Sequence, residues 1–153
     1  MTKSLRRLAV RIVIGIFLLV AIYGAMIVWL PYHREQRVAE KIRSVGGKVS
    51  GIYYIGPSQI PNSIAIRLKF LYRIVTVDFA DGPDPTDALS SLKDLTYLHD
   101  LHLDRTQITD ADLVEFETLS SLTELHLSGT KTTEHGRAML RKKLPDCWIT
   151  PER

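Results

Sequence analysis

Residues 95–113 read LTYLHDLHLDRTQITDADL, and residues 119–137 read LSSLTELHLSGTKTTEHGR. Aligned without a gap, both follow L-x-x-L-x-x-L-x-L-x-x-T at a period of 24 residues. Leu95, Leu98, Leu101 and Leu103 meet Leu119, Leu122, Leu125 and Leu127, and Thr106 meets Thr130. An earlier copy extends the same columns through Leu71, Ile74, Val77, Phe79 and Gly82. A fixed period of this length marks one supersecondary unit that is stacked on copies of itself.

The side-chain pattern predicts how each unit folds. In a strand, alternate residues face opposite sides, so Leu101 and Leu103 point inward while Asp100, His102 and Asp104 point outward. A single unit cannot bury its leucines, so neighbouring units must stack, each parallel strand about 4.8 Å from the next. The connections carry helix-start signals: Thr109-x-x-Asp112 has the form of a capping box, and Asp84-Pro85 pairs a cap with a first-turn proline. The expected class is α/β, with parallel strands and helical connections. The third unit departs from the pattern, with Thr132 in the place of Ile108 and Arg137 in that of Leu113. It is expected to merge into a polar cap over Ala138, Met139 and Leu140. The first unit has Gly82-Pro83-Asp84-Pro85 where a regular turn is expected.

The unit resembles the leucine-rich-repeat family, and more closely its small bacterial, membrane-anchored members, whose units run L-x-L-S-G-T-x-V-T-D-x-G-L. His126-Leu127-Ser128-Gly129-Thr130-Lys131 and Ile108-Thr109-Asp110 carry the resemblance, which spans residues 71–150. Pro145-Asp146-Cys147-Trp148 is similar to the terminal cap of those proteins. The resemblance implies a short solenoid whose concave sheet binds partners.

Stacking would turn the outward residues into three ladders. They are Thr76, Asp100 and Glu124; then Asp78, His102 and His126; then Ala80, Asp104 and Ser128. Thr76, Asp78, Asp100, His102, Asp104, Glu124, His126 and Ser128 are the candidate partner-binding residues. Their acids suit a protein partner with a basic surface. The alternative is a solvated face kept polar against aggregation. His102 and His126 on adjacent rungs raise the idea of a metal site with Asp78 or Asp104, but their spacing matches no known zinc signature, and no metal is expected. No GxSxG, HExxH, P-loop or GxGxxG motif is present, so neither catalysis nor a cofactor is expected.

Outward from the repeats, residues 12–30 (IVIGIFLLVAIYGAMIVWL) carry no charge. As a helix at about 1.5 Å per residue, the run matches a hydrocarbon core of about 30 Å. It exceeds the apolar region of a signal peptide, and Tyr23-Gly24-Ala25 makes a poor cleavage site, so an uncleaved anchor is expected. Lys3, Arg6, Arg7 and Arg11 precede it without an acid, which sets the N-terminus in the cytoplasm and the rest outside the inner or plasma membrane. Residues 1–11 are then a basic tail and 12–30 a transmembrane helix. Residues 31–47 form a juxtamembrane helix, with Val38, Ile42 and Val45 on one stripe, Glu35 and Glu40 on other faces, and Gly46-Gly47 as its stop. Residues 48–73 cap the stack, with a strand at 48–55 and a short helix near 64–72, and residues 74–153 form the repeat domain.

The chain has 153 residues and a formal net charge of +3. That sum conceals +10 over residues 1–73 and −10 over residues 74–134. The acidic segment would repel phosphate, so nucleic acid is not an expected partner. A membrane-tethered protein-binding module is the first expectation. The second is a structural or assembly subunit whose transmembrane helix carries the specificity.

Overall fold

The computed structural model describes residues 3–65, 68–82 and 84–150. Ile66 and Arg67 of the capping segment, Pro83 of the first turn, and positions 1–2 and 151–153 lie outside the described residues.

Helix α1 runs unbroken from Lys3 to Ser44, 42 residues with Pro31 inside it. Uncharged residues 12–30 and residues 31–44 thus belong to one helix. The helix is long and apolar enough to cross a membrane, and no residue of its most apolar window is buried. Beyond Pro31 its character changes. Glu35, Val38, Ala39 and Ile42 fall at helical spacing on one face, and all four are buried. The last three of these join the main core. Val45 packs beside them. The helix end is therefore part of the domain. Glu35 does not cover a solvent face, as its charge suggests; it lies on the apolar stripe.

The stop after α1 has a clear geometry. Gly46 takes φ +81°, donates to the Arg43 carbonyl at 3.1 Å, and is followed by Gly47 donating to the Ile42 carbonyl at 2.9 Å. This is the paired 5→2 and 6→1 pattern of a Schellman cap. Gly47 is also required by packing, because a Cβ there would lie 2.4 Å from the Phe79 ring.

Five strands follow, in spatial order β1 to β5. Strand β1 (Lys48–Tyr54) pairs antiparallel with β2 (Tyr72–Asp78). Strands β3 (Asp100–His102), β4 (Glu124–His126) and β5 (Trp148–Ile149) add on in parallel. The pairing steps by one sequence period each time: Val77 meets Leu101, Leu101 meets Leu125, and Leu125 meets Ile149. Val77, Leu101 and Leu125 are fully buried, as are Leu98, Leu103 and Leu127. A fourth parallel rung, β5, thus follows the three copies seen in the sequence. In place of one helix near 64–72 the chain makes a single turn, α2 (Asn62–Ala65), then a 3-10 turn at Lys69–Leu71 that feeds β2.

After each strand the backbone turns at a residue with positive φ: Asp81 (56°), Arg105 (58°) and Gly129 (70°), one in each repeat. Arg105 forms a two-pronged ion pair with Asp81 across the two turns. One residue later, the Thr106 and Thr130 hydroxyls donate to the Leu103 and Leu127 carbonyls at 2.6 and 2.7 Å. The same carbonyls accept the Thr106 and Thr130 amides, so each threonine closes its turn with two donors.

The connections differ between repeats. The first has one turn of helix, α3 (Thr86–Leu89), and a 3-10 turn at Leu92–Asp94; the second has a 3-10 segment at Asp112–Phe116; the third has a true helix, α4 (Glu134–Lys143). Asp84 accepts from the Thr86 amide at 3.0 Å, and Asp112 accepts from the Thr109 amide at 2.8 Å, but the caps themselves fall one and two residues later than expected, at Pro85 and Ala111, without a side-chain cap bond. The third repeat is not closed by a polar cap over Ala138 and Met139. Arg137, Leu140 and Leu144 are buried, while Met139 is half exposed. Arg137 is kept inside with its Nε 3.7 Å from the Glu134 carboxylate.

Thr133 caps α4, its hydroxyl accepting from the Gly136 amide at 3.1 Å. Asp110 of the preceding repeat accepts from both the amide and the hydroxyl of Thr133 at 2.7 Å. These bonds hold the Asp110 carboxyl below the usual carboxylate range.

Two measurements check this packing. Ile42→Ala should cost about 2–5 kcal/mol if the helix end is core. Chemical denaturation of the full chain in micelles, followed by near-UV circular dichroism, reads it; a loss below about 0.5 kcal/mol, the size of an ordinary surface change, would mean that the helix only rests on the domain. Asp110 gives a pH test. Its pKa is lower folded than unfolded, so its contribution is complete above about pH 4 and is lost as pH falls through the folded value. The acid limb of an unfolding titration should flatten in Asp110→Asn.

Candidate functional site

The ladder registry brings the predicted outward residues together. Thr76, Asp100 and Glu124 lie side by side, and so do Asp78, His102 and His126. The third ladder continues past the strand ends, where Asp81 donates to the Asp104 carbonyl and Arg105 to the Ser128 carbonyl. Glu124 is exposed and the other seven candidates are half-buried. Their inward neighbours are the buried leucines, so these side chains stand on a fixed base.

Several of the carboxylates already have partners. Asp100 accepts from the Thr76 hydroxyl at 3.0 Å, and Asp104 accepts from the Ser128 amide at 2.8 Å. Asp78 accepts from the Ala80 amide at 2.8 Å, which shapes its own turn. Glu124 is the acid that projects furthest, with its carboxylate 3.6 Å from His126 Nε2. The face is acidic, but much of that charge is tied into the ladder.

The two imidazoles stack face to face, with centroids 4.4 Å apart and planes 17° from parallel. Ligand atoms of His102, Asp104 and His126 all lie within 4.8 Å of one another. His126 Nδ1 is 4.0 Å from the Asp104 carboxylate. Parallel rings direct their in-plane lone pairs side by side rather than toward one point. An ion coordinated at about 2.1 Å would need a ring to rotate.

Trp148 is the functional candidate that sequence reading missed. It occupies the first ladder one period beyond Glu124 and pairs with it across β4 and β5. Its side chain is 55% exposed, and its ring meets His126 edge to face at 5.6 Å and 72°. The 24-residue spacing from Glu124 is a signal that could have found it. At the other side of the sheet, Tyr53 and Tyr97 stack at 6.5 Å and are both exposed. An acidic centre with an aromatic ring at its edge suits a basic or amphipathic surface, since aromatic rings supply contact area and interact with cations.

Cys147 is buried directly before Trp148. Burial pushes its thiol up to about 11, and the Glu124 carboxylate adds to the shift. Near pH 8 the folded protein should therefore hold about 100-fold less thiolate than a thiol at the ordinary value of 9. Iodoacetamide labelling should be slow in the native chain and fast after denaturation. Fast native labelling would mean that β5 detaches from the sheet.

No family model matches this chain, and no curated protein matches it. Among solved structures it is similar to a leucine-rich-repeat protein of Leptospira interrogans, with 28% identity over 40% of this chain and 16% of that chain, at a TM-score of 0.35. The matched segment is thus a small part of that protein.

Proposed function

We propose that this chain is a short leucine-rich-repeat solenoid, tethered by residues 12–30 in the inner or plasma membrane, that binds a protein through its outward strand face. In this reading the N-terminus is cytoplasmic and the repeats are extracytoplasmic, as the basic residues before the apolar run favour. The observation that carries the binding role is the registered face itself. Thr76, Asp78, Asp100, His102, Asp104, Glu124, His126 and Ser128 sit on a sheet fixed by buried leucines, with Trp148 exposed at the rim. Fixed side chains lose little entropy on association, so such a face is preorganised for a partner. A basic protein segment is the complement of Glu124 and its neighbours, with no cofactor involved.

A second reading makes α1 the specific element and the repeats a spacer. It is favoured by the open space around Gly15 and Gly24, where an added Cβ would meet nothing within 4 Å. A neighbouring transmembrane helix could approach closely there. Exchanging residues 12–30 for an unrelated apolar helix separates the readings, because only the second loses function.

The direct test is crosslinking and affinity capture from native membranes, comparing wild type with Asp78→Lys, Asp100→Lys and Glu124→Lys combined. The expected result is a basic partner captured by wild type and lost from the folded variant. Identical capture by both would reject the face as the binding site.

A further inference from the structure

Where α1 leaves its uncharged stretch it passes close beside the first repeat's connection, and an angle opens between the two. One cavity there, of about 500 Å³, is lined by Met26, Ile27, Leu30 and Arg34 of the helix and by Lys93 of the connection. A second, of about 260 Å³, shares Arg34 and adds Arg37 and Lys41. Asp94 lines both and is their one acidic group, against four cations. None of Arg34, Arg37, Lys41 and Lys93 forms an ion pair among the described residues.

These features form a gradient along one line: apolar helix surface, then uncompensated cations, then water. Cations directly after a span are also disfavoured on the far side of a membrane. Their retention here calls for a ligand that repays it. We propose that this angle binds one anionic phospholipid of the leaflet facing the domain. Its acyl chain lies along Met26, Ile27 and Leu30, and its phosphate sits among Arg34, Lys93, Arg37 and Lys41. The site rests on the membrane-anchor reading and is independent of the strand face. By holding a lipid between α1 and the first repeat, it would set the domain against the bilayer surface. An anionic surface attracts each nearby basic residue by about fivefold in affinity, and salt weakens that attraction.

The test uses the full chain in nanodiscs of equimolar phosphatidylglycerol and phosphatidylcholine, released into a native mass spectrometer. Phosphatidylglycerol should remain bound at least about tenfold more than phosphatidylcholine, as two or more basic contacts imply. Arg34→Gln combined with Lys93→Gln should lower the phosphatidylglycerol preference at least about tenfold, while Lys142→Gln on α4 should change nothing. Parity in wild type, or an unchanged preference in the double variant, would overturn the site. Displacement of the lipid by soluble glycerol phosphate would also overturn it, in favour of a free-anion site. Extraction of the chain from membranes by alkaline carbonate would reject the anchor reading itself, and the lipid site with it.

Discussion

Everything in the domain depends on one constraint: a three-residue strand cannot by itself bury its inward leucine and the one just beyond its end. Leu101 and Leu103 reach full burial only because Val77 and Phe79 lie on one side and Leu125 and Leu127 on the other. Stacking in parallel at a constant sequence step is the arrangement that serves every rung equally. The rest of the fold satisfies what this stack leaves open. The threonine column bonds the turn carbonyls, Thr133 starts the last helix, and both ends need covers.

The covers come from different sources. At the C-terminal end, α4 and β5 bring Leu140, Leu144 and Ile149 over the last leucines. At the N-terminal end, β1 reverses direction and α1 lays Val38, Ala39 and Ile42 into the core. A helix with a membrane-compatible length therefore ends inside the domain. The buried pair of Glu35 and Arg73, 3.5 Å apart, fixes it there. Arg73 also donates to the Tyr72 carbonyl at 3.2 Å and to the Val28 carbonyl at 3.4 Å, next to the carbonyl of Ile27 that Pro31 cannot serve. Removing Glu35 would strand the buried Arg73 charge, so the junction favours one docked geometry. The helix end and the domain are thereby joined through buried contacts.

The outward face illustrates how a repeat makes a surface. Each position on the unit recurs at strand spacing, so similar residues meet. His102 stacks on His126, and Thr76 bonds Asp100. Part of the face's polarity supports the ladder itself, while Glu124 and Trp148 are exposed.

The sequence by itself determined the period, the inward and outward columns, the extent of the uncharged run and the β1 strand. Each of these is a local or strictly repeated pattern, and 24-residue spacing puts Asp100 beside Glu124 in any stacked fold. Tertiary structure decided what local patterns do not encode. It placed Glu35 on the buried stripe, where β2 brings it the Arg73 guanidinium and the Ile74 amide as partners. It turned Trp148 from a cap residue into the end of a ladder, because β5 pairs with β4. It kept Arg137 inside, in the column of Leu113, with its guanidinium turned back toward Glu134. It also opened the angle between α1 and the first repeat, where Arg34 and Lys93, distant in sequence, line one cavity. Periodicity predicts neighbours one repeat apart; contacts between a repeat and a segment outside the series arise only when the chain has folded.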